Sequence, residues 1–250
     1  MVSYRLKRTS LWLCAALAMA QAVQAQAGIV LSSTRVIYPA TDKEVSLQVH
    51  NTGTSEILAQ SWLEDRDNPS SSSPLFAITP ALARMAGNAR QLIRIIYSGE
   101  GLPNDQESVL WLNVQEIPQT ARENELQIAI RQRIKLFYRP ASLAEDPQKA
   151  AQSLQWQLRD GQLEVVNNGP YHVSMIKLSA TRHTETVLQE GSRMLEPKAR
   201  VQWPLKLSGA TGPLELAFIS INDFGGQEPY RATLSGDQPV QAEKVDSRSD

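Results

Sequence analysis

The residues of this chain best placed to do chemistry lie between Leu126 and Pro140, in the segment LQIAIRQRIKLFYRP. Leu126, Ile128, Ile130, Ile134, Leu136 and Tyr138 share one parity, and Arg131, Arg133 and Lys135 share the other. Successive side chains of an extended strand point to opposite faces, so an apolar ladder runs beside a basic one. The chemistry this supports is non-covalent: a long hydrophobic edge that pairs with another chain, which is strand donation. Covalent chemistry has no comparable signature. His50, His172 and His183 stand in separate segments with no nucleophile and carboxylate pattern around them, and they read as satisfied or solvated side chains. There is no metal-spaced Cys/His cluster and no phosphate-binding glycine loop. The expectation is a protein that is not an enzyme and uses no cofactor or metal.

The elements that must position this ladder are strands. At about 3.4 Å per residue the alternating run from Leu126 to Tyr138 would reach roughly 44 Å, well beyond an ordinary strand, so part of it is expected to overhang its own sheet. Short alternating segments recur elsewhere: residues 45–49, 91–97, 109–114, 163–166, 173–178 and 214–221. Turn residues separate them, at Asn51-Thr-Gly53, Asp67-Asn-Pro69, Asn167-Asn-Gly-Pro170 and Gly225-Gly226. Such spacing predicts an all-β protein built of β-sandwiches. The joint falls at residues 141–147, giving a first domain over 26–140 and a second over 148–237. Ser70 to Ser73 reads as a loop. The polar tail from 238 to 250 has too little apolar content to pack and is expected to be disordered.

The N-terminus and the composition bear on location. Arg5, Lys7 and Arg8 precede an apolar run from Leu11 to Ala20 and then small residues, the pattern of a secretory signal peptide over residues 1–25. Cleavage after Ala25 and after Ala27 both satisfy the small-residue rule. The apolar run is too short to span a membrane, and no stable membrane insertion is expected. Cys14, the only cysteine, lies inside that run, so the exported chain would have no disulfide and its cores must suffice. With 25 Lys and Arg against 26 Asp and Glu, the charge balance argues against a nucleic-acid partner.

Three strings, TRVIYP (34–39), LQIAIRQRIKLFYRP (126–140) and INDFGG (221–226), resemble in order and spacing the periplasmic pilus chaperones of the chaperone-usher pathway, the PapD-like family. PapD is itself a standard example of an Ig-like sandwich, and chaperone–pilin pairing of strand addition. The resemblance implies two Ig-like domains set as a bent pair, with pilus or fimbrial subunits and an outer-membrane usher as partners. Arg35 and Lys135 match the cleft pair that grips a subunit's C-terminal carboxylate. Leu126, Ile128 and Ile130 match the donated side chains, and Glu107, Arg139 and Asp223 match an ionic link between the domains. The short connection from Gln115 to Glu125 and the lack of a cysteine pair place the chain with the short-loop branch. Capping of the free edge by a second copy is a further expectation. The competing reading is a structural fimbrial component or adhesin that assembles through the same edge.

Overall fold

The computed structural model describes residues 28–66, 73–120, 127–206 and 212–245. Two β-sandwiches follow one another. The first contains β1 (Ile29–Leu31), β2 (Arg35–Pro39), β3 (Val45–Asn51), β4 (Ile57–Asp65), β5 (Phe76–Thr79), β6 (Leu82–Met85), β7 (Arg90–Tyr97), β8 (Ser108–Pro118) and β9 (Arg131–Arg139). Its sheets run in the orders β1-β3-β7-β5 and β2-β9-β8-β4-β6. The second sandwich contains β10 (Gln155–Arg159), β11 (Gln162–Val166), β12 (Val173–Arg182), β13 (Glu185–Leu195), β14 (Arg200–Pro204), β15 (Leu214–Ile221), β16 (Gln227–Leu234) and β17 (Glu243–Lys244), ordered β10-β11-β14 and β13-β12-β15-β16-β17.

Alternation builds both cores. In β8, Leu110, Leu112 and Val114 point inward, meeting Leu136 of β9 and Leu47, Val49, Ile93 and Ile95 from the facing sheet. The second core gathers Trp156, Leu163, Val165, Leu178, Ala180, Leu216 and Phe218. Trp156 stacks on Trp203 with ring centroids 6.3 Å apart, and Phe218 on Tyr230 at 5.2 Å. Residues buried on this scale contribute about 1.5–3 kcal/mol each, which explains how two domains hold without a covalent staple.

One expectation needs correction. The tail from 238 to 250 is not disordered over its described part: Val240 exchanges two backbone hydrogen bonds of 2.8 Å with Trp156, Ala242 is fully buried, and β17 adds an edge to β16. Two small apolar side chains suffice there because the backbone pairs with strand edges already in place. The long segment overhangs its sheet as expected: ladder pairing covers residues 131–139, and among the described residues Glu116 N–H to Ile130 C=O (2.9 Å) is the one backbone bond beyond it. Its partner β8 ends at Pro118, which has no N–H to extend the ladder.

Candidate functional site

β2 and β9 pair in parallel, and the register sets Arg35 beside Lys135. β2 begins at Arg35, so residues 131–134 of β9 pair with β8 on one side and leave their other edge open. Both cations reach toward the second domain. Arg35 Nη1 donates to the Ile221 carbonyl at 2.9 Å, and Lys135 Nζ donates to Ser174 Oγ at 3.1 Å. The Arg35 guanidinium also lies 5.7 Å from the Phe137 ring centroid, and its Nε is buried with no hydrogen-bond partner.

These cations are held under electrostatic tension. Burial lowers the Lys135 ammonium to about 8, and the neighbouring Arg35 charge adds to the effect. Burial lowers Arg35 as well, against the raising influence of Asp223 and Glu107. Two like charges, partly desolvated and with donors to spare, are relieved by an anion placed between them. The sign of the pH dependence follows. Above pH about 8 the free protein sheds the Lys135 proton, and a bound carboxylate must restore it. Affinity for a peptide ending in a free carboxylate is therefore expected to fall by up to about tenfold per pH unit above that point, and to be flat over the same range in Lys135→Met. Calorimetric titration between neutral pH and pH 9 reads this directly.

Upstream of the cations the apolar ladder continues out of the sheet. Ile128 is 69% and Ile130 43% exposed, whereas Leu136 on the same ladder is fully buried. Leu126, the third member of the predicted donor set, lies outside the described residues.

Glu107, Arg139 and Asp223 do come together. Arg139 Nε donates to Glu107 Oε1 at 2.7 Å, while Nη1 and Nη2 grip the two Asp223 oxygens at 2.5 and 2.7 Å. Burial opposes the Arg139 charge, but the two carboxylates hold its pKa above the ordinary arginine range. The Asn222–Gly226 turn carrying Asp223 packs on the first domain: Gly225 has φ of 82°, and a Cβ there would meet Thr34 Oγ1 at 2.6 Å. Positive φ and this close approach both require glycine.

Some of the site escaped sequence reasoning. Glu107 is also bound by His172, through its backbone N–H (2.8 Å) and Nδ1 (2.9 Å). A second cross-domain ion pair joins Arg66 to Glu196. Arg131 and Arg133 are not a free basic ladder: they lie over Trp62 and Trp111 at 4.8 and 4.3 Å, and both pair with the buried Glu64. The tryptophans on neighbouring strands at matching parity were the available signal.

Comparison with known proteins decides the family. Residues 28–144 match the model described as pili and flagellar-assembly chaperone, PapD N-terminal domain, and residues 149–232 match pili assembly chaperone PapD, C-terminal domain. The chaperone protein FimB/FhaD of Bordetella pertussis is 37% identical over 236 residues, covering 88% of this chain and 94% of that one. The chain belongs to the PapD family of pilus-assembly chaperones. Among other relatives of this PapD-family chaperone, an Escherichia coli FimC is 38% identical over 223 residues, with 85% and 87% coverage. The crystal structure of the YadV chaperone superposes with a TM-score of 0.70 at 34% identity, covering 83% of this chain and all of that one. The SafB chaperone in complex with the Salmonella enterica SafA pilin gives 0.69 at 29% identity, with 83% and 96% coverage.

Proposed function

We propose that this chaperone works in the periplasm, where it binds fimbrial subunits by lending them a strand and delivers them to an outer-membrane usher. The observation that carries this reading is the alignment of the open β9 edge, the exposed Ile128 and Ile130 and the Arg35–Lys135 pair along one line. A subunit's last strand laid on that edge takes up the line that β2 leaves vacant. Only a strand running parallel to β9 brings its C-terminal carboxylate to Arg35 and Lys135, so the anchor fixes direction and register together. Ile128, Ile130 and Leu126 then fill the groove of an Ig-like subunit that lacks its final strand. Each contributes about 1.5–3 kcal/mol of burial before ordering costs.

The related SafB, captured in complex with a pilin, supports the assignment of subunits as partners. Release follows when the next subunit's N-terminal strand displaces the lent one, with no covalent step. Affinity capture of tagged protein from periplasm tests the reading. Wild type is expected to bring down small Ig-like subunits, and Ile128→Asp with Ile130→Asp to lose most of that yield while staying folded. Recovery of self-assembled ladders of this chain instead would favour a structural fimbrial component.

A further inference from the structure

The core-facing series of β8, Leu110, Leu112 and Val114, continues to a carboxylate. Glu116 is 9% exposed, and its Oε2 is buried without a hydrogen-bond partner among the described residues. No ion pair among those residues includes it. A buried carboxylate without a counter-charge is strongly disfavoured, so its retention calls for a cation.

The group packed against it is the backbone of Gly28. A Cβ at that position would stand 1.6 Å from Glu116 Oε2 and 2.6 Å from its Cδ, so the carboxylate rests on the Gly28 Cα, one covalent bond from the backbone nitrogen. Gly28 is firmly seated. Its carbonyl accepts from Thr52 N–H at 3.0 Å and Thr52 Oγ1 at 2.8 Å, and the Ile29 carbonyl accepts from Gln132 Nε2 at 2.6 Å. Gly28 is also the first residue left by one of the two cleavage points that the small-residue rule allows.

We propose that a signal peptidase cuts between Ala27 and Gly28 and that the new α-ammonium of Gly28 is the counter-ion of Glu116. The cut is a hydrolysis: the oxygen of water joins the Ala27 carbonyl carbon, the C–N bond breaks, and the released nitrogen takes up protons. Before the cut that nitrogen is a neutral amide, and among the described residues Glu116 has no cation. Afterwards an amine of ordinary pKa about 7.7–8.0 is charged at neutral pH. Glycine at this position leaves the room that any side chain would take from the carboxylate. Glu116 N–H holds the Ile130 carbonyl at 2.9 Å, so the pair forms at the root of the donor segment.

Intact mass and N-terminal sequencing of protein purified from periplasm should give Gly28 as the first residue. The Gly28 Cα resonance of that protein, followed by NMR against pH, should titrate at least one pH unit above the ordinary amine range in wild type and return to that range in Glu116→Gln. Should Glu116→Gln fail to fold, Glu116→Asp, which withdraws the carboxylate by one methylene, should lower the midpoint instead. A chain beginning at Gln26, or an amine midpoint that the Glu116 substitution does not move, overturns the proposal.

Discussion

Lys135→Ala is expected to leave a folded chaperone that no longer recovers subunits. The side chain is a poor contributor to stability, because folding drags its ammonium toward a pKa of about 8 through burial and the Arg35 charge. Between that value and the ordinary range near 10.4 the folded chain holds fewer protons than the unfolded one, so this group disfavours the fold most at neutral pH and less as pH rises. Its removal should therefore be tolerated. Binding suffers directly: a charge-assisted hydrogen bond to a carboxylate is worth about 1.5–3 kcal/mol, or roughly 10- to 150-fold in affinity. Arg35→Glu does more, since it replaces a cation with an anion facing both the incoming carboxylate and Asp223. The check is a comparison of subunit yield with the melting curve of each variant. A wild-type control with a C-terminally amidated subunit peptide should lose affinity in the same way as Lys135→Ala. Unchanged yield from both variants, or indifference to amidation, would remove the anchor.

Arg139→Ala gives the largest loss of stability expected in the molecule. The Glu107 side chain is 1% exposed and Arg139 is its hydrogen-bonded cation, so truncating the arginine leaves a buried carboxylate held by His172 and by the more distant charge of Arg35. Breaking a buried pair costs about 3–5 kcal/mol where the stranded charge is left uncompensated, and the His172 contacts place this case toward the lower end. Replacing both partners together, as Glu107→Gln with Arg139→Met, should recover most of that, since the unpaired charge rather than the lost attraction dominates. Asp223→Asn is milder because that side chain is 29% exposed and water can serve the freed guanidinium. Urea unfolding of the four proteins separates these cases, and an Arg139→Ala midpoint equal to wild type would show the link to be idle.

How legible these features were depended on what signals them. β9 was readable because a two-residue alternation survives over many positions, and its overhang because that alternation outruns an ordinary strand. The position where ladder pairing stops was not read, since it is set by Pro118 on the neighbouring strand. β13 escaped notice: it is an edge strand buried only near its ends, at Val187 and Leu195, and the exposed Gln189, Gly191 and Arg193 between them on the same face leave no alternation to read. Arg35 beside Lys135 depends on parallel pairing of strands far apart in sequence, which the family resemblance suggested and no local pattern could. His172 and Glu64 were missed because a buried polar group declares itself only through the neighbours that satisfy it.

The two cations sit on the first domain, yet the atoms they bond, the Ile221 carbonyl and Ser174 Oγ, belong to the second. The affinity of the anchor and the angle between the domains are therefore one thermodynamic variable seen from two sides. A carboxylate whose binding drew Arg35 and Lys135 away from those tethers would be coupled to the placement of the second domain, each shifting the other by the same free energy. A macromolecule that gripped both domains and changed that angle would then alter the hold on such a carboxylate without touching it.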